Sequence, residues 1–326
     1  MCGLKVGLIS NWDLRCGNAQ YARDLVTELE KEFVVMGLAP LLSQVRQTNI
    51  DDVDVVIVNW HPSRVTVTEQ DMRWLKECGK KTILILQNSF REPPVIEEGN
   101  MLLVVDMVVA HEEMTFVGQQ PNFRCIQHGI PEIEDLPAPY EDRWIGTAGF
   151  AFPWKRFDVV AEVAKKFNAR CRIISSQSDQ MGTDDFLKGI AGHLGSLVDM
   201  HKDWYTVQEV VRMLAECTLN IFWFNSYSPE DQLGQSGSVR LGLAARRPTI
   251  ISTHKKFRTL LPYGDELYVC LREEDVYLAV EEILSSPEKA KKPKRLLEGL
   301  GWSKTGAQYR ELVREVCKVE TKGEVV

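Results

Sequence analysis

The segment Gly149-Phe150-Ala151-Phe152-Pro153-Trp154-Lys155-Arg156-Phe157-Asp158 joins a glycine turn to a lysine. It follows an apolar run at 144–148 and precedes Val160, Val163, Ala164 and Phe167, spaced as one face of a helix. A cation and the positive end of a helix dipole meet there, and the ligand that suits both is a phosphate. Gly17 and Asn18 stand at a second strand-to-helix turn, where the missing Cβ lets backbone N–H groups come close to a diphosphate. A third turn, Gly234-Gln235-Ser236-Gly237-Ser238, leads into a helix with amide and hydroxyl donors, and Arg240 adds charge. His61, Gln87, Asn88 and His128 close other strand-like runs, where they can hydrogen-bond a ligand; Gln87 can donate and accept but cannot titrate. Plain structural roles compete: a turn needing positive φ at Gly17, an exposed loop lysine at Lys155, a backbone-satisfied histidine at His128.

The elements that must position these groups alternate along the chain. A strand is expected over 5–10, and Ala22, Leu25, Val26 and Leu29 mark the first helix by their spacing. Runs at 53–59, 81–86 and 102–110 are continuously apolar, as strands buried on both faces are. The stretch 131–139 carries three prolines and few groups that could bury, and reads as a linker. The alternation then restarts with a strand at 145–149, a helix at 158–167 and a strand at 171–175. Thr206 and Glu209 form a capping box ahead of a helix whose apolar face is Val207, Val210, Val211 and Leu214. Strands at 219–224 and 248–252 flank a helix near 237–246, and a last helix from Ser303 carries Tyr309, Leu312, Val313 and Val316 on one side. This predicts an α/β chain of two Rossmann-like, doubly wound domains facing across a cleft, with ligands just beyond the carboxyl ends of strands. The expected division is 1–137, 138–300 and a terminal helix at 301–326 that packs back toward the first domain.

Composition narrows the function. The 326 residues are 44% hydrophobic and 26% charged, which describes a globular protein large enough for two cores. A net charge of −7 offers no general attraction to nucleic acid, and the basic run at 289–295 reads as a solvated turn. Eight scattered cysteines without a C-x-x-C pair argue against structural zinc and for reduced thiols. No run approaches the roughly twenty apolar residues of a membrane helix, and no secretory leader opens the chain. A cytoplasmic protein is expected.

Four segments together resemble the GT-B glycosyltransferases, and within them the retaining family four. The stretch 16–25, CGNAQYARDL, resembles the family's C-G-I-A-x-Y-x-x-x-L loop and helix. Ile126-Gln127-His128-Gly129-Ile130 is similar to its I-P-H/N-G-I/V segment, and 149–158 to G-R-x-x-x-x-K-G-x-D. The block 234–252 resembles G-x-x-x-x-E-A-M-A-x-G-x-P-V-I-x-S. The resemblance implies transfer of a sugar from a nucleoside-diphosphate sugar, UDP- or GDP-linked, to an acceptor hydroxyl with retention, without a metal or bound cofactor. It assigns Lys155, Glu230 and Asp231 to catalysis. It gives the donor to Gly17, Asn18, Gly149, Arg156, Gly234, Gln235, Ser236, Gly237, Ser238 and Arg240. It gives the acceptor to His61, Gln87, Asn88 and His128. The acceptor is a glycan, a metabolite or another hydroxyl compound; a nucleic-acid acceptor is not favoured.

Three departures stand out. Phe150 replaces the family's arginine, Gln87 stands for a histidine, and the second glutamate, normally on the ribose, falls at Leu241. The alternative they raise is a GT-B protein that binds nucleotide or glycan without turnover. A solute receptor fits less well, and a dinucleotide oxidoreductase lacks its G-x-G-x-x-G after the first strand.

Overall fold

The computed structural model describes residues 3–39, 50–61, 65, 67–87, 96–112, 120–175, 183–225 and 235–318. The chain divides into two units, Met1–Gly129 with Asp231–Gln235 and Trp302–Val326, and Ile130–Glu230 with Ser236–Gly301.

In the first unit, β1 (Lys5–Ile9), β2 (Val34–Leu38), β3 (Val55–Trp60), β4 (Lys81–Leu86), β5 (Met107–Ala110) and β6 (Phe123–Cys125) form one parallel sheet. Its order is β2-β1-β3-β4-β5-β6. The central strands consist of Val, Ile and Leu because both faces are covered. Helix α1 (Gly17–Leu29) covers one face; α2 (Glu69–Glu77) and α3 (Ile96–Val104) cover the other. The strand order reverses between β1 and β3, so the crevice for a ligand opens beyond the carboxyl ends of those two strands.

In the second unit the strands are β7 (Trp144–Ala148), β8 (Arg170–Ile174), β9 (Val198–His201), β10 (Leu219–Phe222), β11 (Thr249–Ser252) and β12 (Tyr268–Cys270). They run parallel in the order β12-β11-β10-β7-β8-β9. Renumbered within the unit this is the doubly wound order 3-2-1-4-5-6, with its switch point between β7 and β10. The helices are α4 (Phe157–Lys166), α5 (Thr183–Leu194), α6 (Val207–Ala215), α7 (Gly237–Ala244), α8 (Glu273–Ser285) and α9 (Arg295–Leu300). The capping box read from Thr206 and Glu209 forms at the start of α6, each residue bonding the other's backbone N–H. Helix α7 lies close on the sheet, because a Cβ at Gly242 would overlap the ring of Phe222.

The last helix, α10 (Trp302–Lys318), belongs to the first unit. Its Tyr309, Leu312, Val313 and Val316 bury against Tyr21, Ala22, Leu25 and Leu29 of α1. The Tyr21 hydroxyl donates to that of Tyr309 at 2.8 Å, and Arg310 pairs with Glu28 at 3.0 Å.

Three sequence expectations need correction. The run 102–110 is not one strand: α3 ends at Val104 and β5 starts at Met107. An apolar run alone does not separate a buried helix from a buried strand, and the break comes at Asp106, whose carboxylate accepts from the Thr82 N–H and hydroxyl. The stretch 131–139 does bury groups, since Pro131 is buried and Ile133 and Leu136 pack on the second unit's core. Strands β2, β9 and β12 were not anticipated, and β6 was expected only as a run closed by His128; all four lie at sheet edges, and β2 exposes Val34 and Met36, so no burial pattern marks it.

Candidate functional site

At the switch point of the second unit, β7 ends in Ala148 and Gly149 turns with φ +119°, a conformation that L side chains rarely adopt. The turn leads to a short helical segment, Pro153–Lys155, which buries the lysine. Lys155 is 8% exposed, and its ammonium lies 5.5–5.9 Å from the ring centroids of Phe150, Phe152, Trp154 and Phe224. Phe224 comes from the end of β10, the neighbouring strand. Burial, and after it the charge of Lys256, bring the Lys155 pKa from 10.5 down to about 7; among the described residues no carboxylate offsets them. The exposed-lysine reading does not hold.

The same turn meets the start of α7. A Cβ built on Gly149 would lie 2.8 Å from the Lys155 Nζ and 3.0 Å from the Ser238 Cβ. Ser236, the N-cap of α7, makes no capping bond; its hydroxyl bonds that of Ser238 at 3.0 Å. The first N–H groups of a helix have no intrahelical partner, so an ammonium and an amide-bearing helix start converge here. Gly149, Lys155, Ser236, Gly237 and Ser238 are therefore brought together. That arrangement can bind and stabilise an anion.

Other assigned residues lie differently. Arg156 has φ +47° and its guanidinium engages Asp158 at 3.0 Å and Glu273 at 2.7 Å, so its charge is already matched. Arg240 is 1% exposed, donates to Thr259 Oγ1 at 3.4 Å and has its pKa pushed down to about 9 by burial. Leu241, at the position of the expected ribose partner, packs with the core around Val239 and Leu243. Glu230, Asp231, Gly234 and Asn88 lie outside the described residues, as does Tyr227. Among the described residues no group of three or more His, Cys, Asp or Glu side chains is placed to hold a metal ion. No described helix is long and apolar enough to cross a membrane.

In the first unit, Gly17 and Asn18 open α1 beside the switch point of that sheet. The Asn59 side chain, at the end of β3, donates to the Asn18 carbonyl at 3.0 Å and the Ser10 hydroxyl at 3.1 Å. A Cβ at Gly17 would meet no atom within 4 Å, and its φ is not positive. Neither packing nor backbone strain requires glycine there. Gly17→Ala is therefore expected to leave stability within about 0.5 kcal/mol of the parent, or to raise it, by urea unfolding. A loss of ligand affinity or turnover in that variant would then report on the glycine's approach to a ligand.

His61 follows β3 and bridges Val65, whose N–H it accepts at 3.0 Å through its carbonyl. Gln87 is 7% exposed, and its Nε2 has no hydrogen-bond partner among the described residues. His128 donates from Nδ1 to its neighbour's carbonyl, Gly129 O, at 2.8 Å, since a carbonyl can only accept. Its backbone N–H donates to Gln235 Oε1 at 3.1 Å, and Gln235 Nε2 donates to the His111 carbonyl. Gln235 thus joins the β5 and β6 ends of the first unit. The rings of His111 and His128 lie 5.0 and 4.8 Å from Tyr21.

Sequence reasoning passed over Ser10 and His111, and over the His254-Lys255-Lys256 turn after β11. All stand directly after apolar runs, so the rule that ligands gather at strand ends was the available signal. Phe224 is core, in contact with Phe257 at 4.6 Å, and a wall of the lysine site as well.

No protein-family model matches the sequence, and no curated protein does. Solved structures do. Anabaena HepE in complex with UDP superposes with a TM-score of 0.72 at 10% identity, covering 96% of this chain and 100% of that one. A glycosyltransferase from Rickettsia africae gives 0.72 at 13% identity over 98% and 100%. Sucrose-phosphate synthase from Thermosynechococcus elongatus gives 0.71 at 11% identity over 96% and 99%. At such identities the likeness shows the fold: two Rossmann-like units, as in the GT-B class.

Proposed function

We propose that this protein is a glycosyltransferase that moves a sugar from a nucleoside-diphosphate sugar to an acceptor hydroxyl. One observation carries the reading: the buried Lys155 ammonium, which among the described residues is surrounded by aromatic faces and not by a carboxylate, beside the start of α7. An uncompensated buried cation is unfavourable in the unliganded protein, and a diphosphate supplies the charge that relieves it. In transfer, the bond from the sugar C1 to the diphosphate oxygen breaks and a bond from the acceptor oxygen to C1 forms. The acceptor proton passes to the leaving phosphate, which gives retention without a titrating side chain at Gln87. Negative charge grows on the departing oxygens, where a preorganised ammonium and helix amides lower the barrier. A structural neighbour that binds UDP supports a uridine donor as the first to test. Lys155, Gly149, Ser236, Gly237 and Ser238 form the donor side of this reading. Gly17, Asn18, His61, Gln87 and His128 of the first unit are offered as ligand-contacting groups.

A second reading, ligand binding without turnover, is favoured by Leu241, which stands at the expected ribose partner's position and packs, half-buried, against the apolar core. A panel of UDP-, GDP-, ADP- and TDP-sugars separates the two. The expected result is micromolar to millimolar binding of one nucleoside diphosphate and release of it from the matching sugar donor. Binding without hydrolysis or transfer for any acceptor leaves the second reading; no binding of any nucleoside diphosphate removes both.

A further inference from the structure

Resting on the donor reading, we propose that His254 is a further binding residue of the lysine site, its Nε2–H donating to a phosphate oxygen of the bound nucleotide.

Strands β7, β10 and β11 are neighbours, and the segments that follow their carboxyl ends carry Lys155, Phe224 and His254. The Ser252 hydroxyl ties the last two together. It accepts from the N–H of Phe224 at 3.2 Å and of His254 at 3.4 Å, and donates to the Phe224 carbonyl at 3.1 Å. The His254 ring lies 5.8 Å from that of Phe224 and 6.3 Å from that of Trp154, nearly parallel to the latter at 21°. Those two rings also border the Lys155 ammonium, at 5.6 and 5.5 Å. Ring contacts thus place the imidazole and the ammonium on one aromatic wall.

His254 is 7% exposed, and its two ring nitrogens have different fates. Nδ1 accepts the Lys256 N–H at 3.2 Å and so caps the helical segment Lys255–Tyr263. An accepting Nδ1 carries no proton, so the ring is neutral and its proton sits on Nε2. Burial, then the charges of Lys256 and Lys255, act in the same direction and bring the His254 pKa down to about 4. Nε2 is buried and has no hydrogen-bond partner among the described residues. A buried donor left unmade is costly, and an apolar side chain would fill the place without that cost. What satisfies the N–H is an acceptor brought by a ligand, and beside a buried ammonium that acceptor is an anionic oxygen. His254 adds a directed hydrogen bond to the site without adding charge.

Calorimetric titration of the full chain with UDP, GDP, ADP and TDP tests this, with His254→Asn and His254→Gln beside the parent. A melting temperature near the parent's shows that each variant is folded. Asparagine keeps a short acceptor for the Lys256 N–H and loses the outer donor; glutamine extends an amide N–H to about the reach of Nε2 and gives up the cap. His254→Asn is expected to weaken binding of the diphosphate that the parent prefers roughly tenfold, with its salt dependence unchanged because no charge is lost. His254→Gln should stay within about threefold of the parent. Unchanged affinity in His254→Asn, or an equal or greater loss in His254→Gln, overturns the inference and leaves the donor reading standing, with His254 serving the turn alone. Should neither variant fold, nitrogen NMR of the parent's histidines decides. The diphosphate should move the Nε2 resonance of His254 and slow exchange of its proton, and an unmoved resonance overturns the inference. Failure of the parent to bind any of the four diphosphates removes the donor reading and this inference together.

Discussion

Lys155→Met is expected to make the protein more stable at pH 7 while abolishing its affinity for nucleoside diphosphates. The ammonium is buried against four aromatic rings, with no carboxylate among the described residues to offset it. Cation–π contacts return part of the lost hydration, but the pKa still falls from 10.5 to about 7. The sign follows from linkage. The unfolded chain keeps a proton on this lysine up to about pH 10.5, and the folded chain releases it from about pH 7. Below pH 7 the folded state therefore carries the full cost of the charge, and that cost fades as pH rises toward 10.5. Methionine fills a similar volume without charge. A gain of about 2 kcal/mol at pH 7, or roughly 4–8 °C in Tm, is expected, shrinking toward pH 10. Calorimetry between pH 6 and 10 checks both size and slope. A destabilised Lys155→Met, or a pH-independent difference, means the lysine serves the fold and not a ligand.

Gly149→Ala should act at the same place from the backbone side. Its φ of +119° is strained for alanine whatever the space, and the new Cβ would come within 2.8 Å of the Lys155 Nζ and 3.0 Å of the Ser238 Cβ. The ammonium can yield, being the end of a flexible chain; Ser238, at the start of α7, cannot yield as cheaply. A stability loss of about 1–3 kcal/mol is expected by urea unfolding. Diphosphate affinity should drop at least about tenfold, because the cation and the helix start lose their register. The contrast with Gly17→Ala is informative, since nothing in the fold requires that glycine. If Gly149→Ala binds diphosphate as the parent does, the pairing of Lys155 with α7 is not the anion site.

Local pattern was enough for much of the architecture. The continuous Val, Ile and Leu runs at 53–59 and 81–86 form strands covered on both faces, and glycine turns before helices pointed to Gly17 and Gly149 as candidate phosphate turns. The capping box at Thr206 and the apolar face of α10 were legible because helix chemistry is local. Where burial is one-sided or absent, local pattern fell silent: β2 and the other outlying strands present little apolar text, and at 102–110 helix and strand look alike.

Side-chain fate was legible only where sequence neighbours decide it. Arg156 and Lys155 are adjacent, yet one is turned to Asp158 and Glu273 and the other buried among aromatic rings. The chain itself determined that a lysine, a serine-bearing helix start and a basic turn would each follow a strand. Their meeting required the order β11-β10-β7, set by how crossover helices pack on a twisted parallel sheet. Residues 149–155, 236–238 and 254–256 are separated by tens of positions, and no local spacing encodes that distance. Strand adjacency is a property of the whole core, so the tertiary structure alone decided which of these segments come together.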